Sequence, residues 1–145
     1  GVKAADIVVL PYPDYGVKLY GNVIIASPKI LKDNPAAVKA FLSAFAKGAR
    51  EVIASPAVAI ESVKARDGII NVALETRRLQ MAIDTVVNSP DARTEGFGKV
   101  NDARLSLMAS QVSDAFATKS RVDATKVWDA GFLPSAAELN ILPKK

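Results

Sequence analysis

The chain has 145 residues, half of them apolar, and contains neither histidine nor cysteine. That length suits one domain with a core, and the missing residue types remove the usual neutral-pH general base, the thiolate nucleophile and the common zinc and copper ligands, so no metal or cofactor is expected. The 19 basic residues exceed the 15 acidic ones by a net +4; inside the chain the longest basic run is Arg77-Arg78, so there is no stripe to follow a phosphate backbone, and nucleic acid is not an expected partner.

Asp6-Ile7-Val8-Val9-Leu10 reads as a short buried strand that runs into a stiff aromatic loop, Pro11-Tyr12-Pro13-Asp14-Tyr15-Gly16. Residues 17–27 form a second extended segment, bent at Gly21-Asn22, whose apolar half Val23-Ile24-Ile25-Ala26 shows no polar alternation and so calls for cover on both faces. Two helices follow, opened by Asn34-Pro35 and Ser55-Pro56, where the small polar side chain accepts from free backbone N–H groups and the proline needs no donor. Apolar residues at Val38, Phe41, Leu42, Phe45, Ala49 and Val52 give the first of these a clear helical period. The second is expected to end at Asp67-Gly68.

A helix of about five turns is marked by Val72, Leu79, Ile83, Val86 and Val87, capped by Asn71 and stopped by Asn88-Ser89-Pro90. Asp91 to Lys99, with glycines on both sides of Phe97, reads as an exposed, mobile loop. Asn101 opens a last long helix with the stripe Leu105, Met108, Ala109, Val112 and Phe116. Asp123 is expected to cap a short helix up to Trp128, before an irregular tail. No apolar stretch approaches the ~20 residues that span a bilayer, so the chain is expected to be soluble, with any export signal outside it. Two strands cannot make a stable sheet alone. The expectation is therefore that this is a piece of a larger α/β protein, or that a second copy completes the sheet.

The run Tyr20-Gly21-Asn22-Val23-Ile24-Ile25-Ala26-Ser27, then Asn34-Pro35 with Val38-Lys39-Ala40-Phe41-Leu42, then Ser55-Pro56, resembles the second half of the NMT1/THI5-like substrate-binding proteins, which serve ABC importers. Gly96-Phe97-Gly98-Lys99-Val100-Asn101, Arg104-Leu105 and Phe132-Leu133-Pro134 agree with that likeness. The resemblance implies an α/β, type II periplasmic-binding-protein-like fold, of which this chain is a C-terminal fragment dominated by helices with two or three strands. Residues 1–22 would be the end of the second lobe and the hinge crossover, and residues 23–145 the C-terminal part of the first lobe. It implies a small polar ligand held between lobes, an ABC transporter membrane permease as partner, a missing N-terminal half, a periplasmic or lipid-anchored extracytoplasmic location, and no enzymatic activity.

The polar-aromatic cluster Tyr12, Asp14, Tyr15, Tyr20 and Asn22 supplies the candidate ligand-binding residues, since tyrosine offers flat area with a hydrogen-bonding tip and asparagine both donor and acceptor. Tyr12 and Tyr20 read first as residues packed beside a strand and only second as ligand contacts. A carboxylate at Asp14 facing the ligand would disfavour nitrate or a sulfonate. Arg77 and Arg78 read as a solvated helix face or as an anion site, and Trp128 as a stacking platform or a pin for the C-terminus. Two other readings stand beside the importer component. One is a fragment of a THI5-like pyrimidine-biosynthesis enzyme, whose histidine and cysteine-rich motif this chain lacks. The other is a helical protein-interaction module.

Overall fold

Proline set after a small polar residue opens helix after helix in this computed structural model, which describes residues 1–143, the side chain of Ala4 excepted. Ser27 Oγ accepts from the Ile30 N–H at 3.4 Å at the head of α1, Pro28–Asp33. Asn34 Oδ1 accepts from the Ala37 N–H at 3.1 Å at the head of α2, Pro35–Ala54. At the head of α3, Pro56–Lys64, the Ser55 hydroxyl makes no capping bond. Asn34 and Ser55 share nearly the same backbone angles, φ −148°, ψ 64° and φ −146°, ψ 70°; from that geometry the longer asparagine reaches the free amide and the shorter serine does not. The expected serine cap is thus corrected to a proline start alone.

The fourth helix, α4, spans Val72–Ala82, with Asn71 Oδ1 accepting from the Leu74 N–H at 3.0 Å. It continues as a π-helical turn, Ile83–Val87, closed by the Asn88 N–H on the Ile83 carbonyl at 2.8 Å, so the predicted five-turn helix is present but widens in its last turn. Ser89-Pro90 then starts α5, Pro90–Thr94, inside the stretch expected to be loop. The next helix, α6, is Asp102–Ala115, capped by Asn101. Asp123 caps a single 3-10 turn, Ala124–Lys126, shorter than the helix expected there. The tail holds a 3-10 turn, Ala130–Phe132, and α7, Ala136–Leu139, closed by a reciprocal Ser135/Glu138 capping box.

No β-strand forms among the described residues. This overturns the expected α/β, type II binding-protein-like fold with two or three strands. Residues 7–10 and 23–26 carry the β-branched composition of strands, yet a strand exists only when another segment accepts and donates along its length. No described segment does so, and Val8, Ile25 and their neighbours stand in solvent.

Two units divide the chain: residues 1–23 with 100–128, and residues 24–99 with the stretch from Asp129 onward. In the first, α6 buries Leu105 and Ser113; the Ser113 hydroxyl donates to the Ala109 carbonyl at 2.7 Å and accepts from the Val122 N–H at 3.3 Å, tying the following turn to the helix. In the second, α2 packs on α1, α3, α7 and the Ala130–Phe132 turn, and α3 packs on α4. Ala46, Ile60, Ile83, Leu139 and Ile141 form its core. Small cores leave apolar side chains in water: Val8, Val9, Ile25, Ile69 and Phe116 are each more than three-quarters exposed.

Candidate functional site: a tyrosine turn held along α6

Pro11 and Pro13 stiffen the chain on either side of Tyr12, and the turn Tyr12–Tyr15 ends at Gly16 with φ 82°, a left-handed conformation that suits glycine. The Gly16 N–H donates to the carbonyls of Pro13 and Tyr12, and the Val17 N–H to Tyr12 O at 3.1 Å, which closes the turn on itself. With its backbone satisfied internally, the turn presents its side chains outward: Tyr12 is 72% and Tyr15 68% exposed, and Asp14 is exposed between them.

From Gly16 to Tyr20 the backbone runs along α6, held by side chains rather than by another backbone. Gln111 Nε2 donates to Gly16 O at 3.2 Å. Arg104 donates through Nε to Lys18 O at 3.0 Å and through Nη2 to Leu19 O at 2.9 Å. The Tyr20 N–H donates to Met108 Sδ at 3.3 Å, and Tyr20 Oη accepts from the Asn101 N–H at 2.8 Å. The Arg104 guanidinium lies 4.2 Å from the centre of the Tyr20 ring, a cation–π contact that adds to the fork.

Of the five residues singled out from sequence, the structure gathers Tyr12, Asp14 and Tyr15 on one turn. Tyr20 is half-buried, and its hydroxyl and ring are already engaged by α6. Asn22 is exposed beyond the held segment, with no side-chain hydrogen bond among the described residues. Sequence reasoning missed Arg104 and Gln111. The signal was the polar residues at 101, 104 and 111, spaced to share one helix face with Met108 at the edge of the apolar stripe.

The other candidates resolve differently. Arg78 is engaged with Glu75 at 2.9 Å on the surface of α4, and Arg77 is exposed. In the Gly96-Phe97-Gly98 stretch the Phe97 N–H donates to Leu139 O at 2.9 Å, and its ring stacks on Phe45 with centroids 6.4 Å apart. A Cβ at Gly96 would stand 3.3 Å from Leu139 Cβ, so this glycine permits close approach to α7. Trp128 is half-buried. No group of three or more acidic side chains able to hold a metal occurs among the described residues.

Two carboxylates are shifted by their surroundings. Glu138 is held below its ordinary value chiefly by the Ser135 hydroxyl, then by the Ser135 N–H and the Ser43 hydroxyl, with a smaller contribution from Arg50. Asp123 is lowered by the Thr125 hydroxyl and N–H. Both belong to helix or turn starts, and neither lies in the tyrosine turn.

Residues 2–59 match the family described as NMT1/THI5 like, which supports that family over a stretch containing the whole tyrosine turn, Tyr20 and Asn22, while α4 to α7 lie beyond the match. No curated protein and no solved structure matches the chain. No helix among the described residues is long and apolar enough to cross a membrane.

Proposed function

We propose that this chain is part of the solute-binding component of an ABC importer, holding a small polar ligand against the tyrosine turn. The observation that carries the reading is the NMT1/THI5 like match over residues 2–59, the stretch that contains Tyr12, Asp14, Tyr15, Tyr20 and Asn22. Exposed tyrosine rings on a self-closed turn suit flat, partly polar solutes, and Asp14 between them favours neutral or cationic ligands over nitrate or sulfonates. The work is binding and hand-over to a membrane permease, outside the cytoplasm, and not bond making. The surplus apolar surface fits a chain whose binding surface is completed by further protein.

Isothermal titration of the full-length protein with an aminopyrimidine, taurine and nitrate tests this. Micromolar binding of the aminopyrimidine, weakened when Tyr15 is replaced by alanine, supports the reading; no heat with any of the three, or binding indifferent to Tyr15, counts against the turn as the site. A second reading, a helical interaction module, is favoured by one feature: Phe41 and Phe45 stand exposed along α2 with centroids 6.3 Å apart. It predicts that Phe41→Ser leaves solute binding alone and abolishes a protein partnership.

A further inference from the structure

We infer that Arg104 is a positioning residue: through its fork it sets the register of the segment from Gly16 to Tyr20 on α6, and thereby fixes where the tyrosine turn stands. The consequence for ligand rests on the solute-binding reading above; the register itself does not.

The lengths agree. Gly16 to Tyr20 is four steps of extended chain, about 13 Å, and the groups that meet it run from the Asn101 backbone N–H to the Gln111 side chain, ten steps of helix or about 15 Å. From Gly16 to Leu19 the segment lies antiparallel to α6, Gly16 meeting Gln111 and Lys18 and Leu19 meeting Arg104; at Tyr20 the N–H turns back to Met108 while the phenol oxygen reaches the Asn101 N–H. A shift by one residue would move every one of these bonds. An extended segment without a ladder is weakly specified in register, and here the specification comes from side chains. Among the described residues, only Arg104 touches two consecutive carbonyls of the segment and a ring at once, so it reads position along the segment as well as holding it. Gly16 directly follows Tyr15, so the register is transmitted to the turn without an intervening residue. A lysine at this position keeps the charge but has no planar fork for two carbonyls.

Limited trypsin digestion of the full chain reads this, because the Lys18–Leu19 bond is cleaved only when the segment leaves α6, while cleavage after Lys47 inside α2 reports general unfolding. Arg104→Ala is expected to speed cleavage after Lys18 about tenfold, with the Lys47 site unchanged, since loss of charge-assisted bonds raises the open population by that order. Arg104→Lys is expected to give most of the same increase; full protection by lysine would show that charge suffices and would overturn the register role. Unchanged cleavage after Lys18 in Arg104→Ala overturns it as well. If Arg104→Ala accelerates both sites together, Gln111→Ala decides: faster cleavage after Lys18 alone supports the side-chain rail, and no change there refutes it. Lost protection together with a silent solute titration would defeat the binding reading and leave the rail standing, whereas intact protection defeats the rail whatever the titration gives.

Discussion

Two arginines do the same job in the two units, with different backing. Arg50 on α2 donates to the carbonyls of Ala137 and Glu138, both at 3.0 Å, and of Asn140 at 3.4 Å, gathering the carbonyl end of α7. Arg104 on α6 gathers the carbonyls of Lys18 and Leu19. What Arg50 holds also inserts Leu139 and Ile141 into the core, whereas the segment that Arg104 holds brings only the half-buried Val17 and Tyr20. A hydrogen bond in water is worth about 1 kcal/mol net, and burying a large aliphatic side chain about 2. So α7 is anchored by packing and only aligned by its arginine, while the Gly16–Tyr20 segment depends on its arginine and a stacked ring. The lesson is that the same clamp is structural in one unit and conformational in the other.

The comparison breaks first at the core. Leu139→Ala is expected to cost about 2 to 5 kcal/mol of stability, read as a fall in the denaturant midpoint, because the Leu139 side chain, at the end of α7, is 3% exposed in the core and lies against Gly96. A loss below 1 kcal/mol would mean that packing does not anchor α7. Gly16→Ala is next: a left-handed φ of 82° is expected to cost about 1 to 2 kcal/mol for an alanine, with nothing crowding the new methyl. That loss should appear as altered tyrosine fluorescence and faster cleavage after Lys18. Asn101→Ala removes the acceptor for the Arg104 N–H at 3.0 Å and is expected to cost about 1 kcal/mol in thermal unfolding.

The smallest effect is set by pH. The Glu138 carboxyl sits below its ordinary value of 4.5, so the ionised form is the one the folded chain prefers. Its contribution is complete above the unfolded value and is lost as pH falls through the lowered folded value, so α7 should loosen only on the acid side of about pH 4.5. Hydrogen exchange of the α7 amides between pH 6 and 3, corrected for intrinsic rates, should show this step in the native chain. Glu138→Gln keeps an acceptor for Ser135 and should flatten it.

Helix starts were readable because each is a local event: Asn34-Pro35, Asn71 and Asn101 cap the helices that their positions indicate. Ser135 and Glu138 carried an equally local signature, a capping box, that went unread because only four helical residues follow it. The apolar extended runs at 7–10 and 23–26 misled for the opposite reason. β-branched residues record a preference for extended backbone, whereas a strand is a pairing, and pairing is not written in the segment itself. The tyrosine turn was legible from its prolines and glycine. Its support on α6 was not, since Arg104 and Gln111 lie more than eighty residues away in sequence and meet the turn only through tertiary structure.

The most direct measurement is the affinity of the full-length protein for an aminopyrimidine, taken by calorimetry for the native chain and for Tyr12→Ala/Tyr15→Ala. Removing two exposed rings from a built site should weaken binding by about a hundredfold, from roughly 1 to 1.5 kcal/mol per lost stacking contact, without lowering the melting temperature. Equal affinity for both proteins would contradict the placement of the solute on the tyrosine turn.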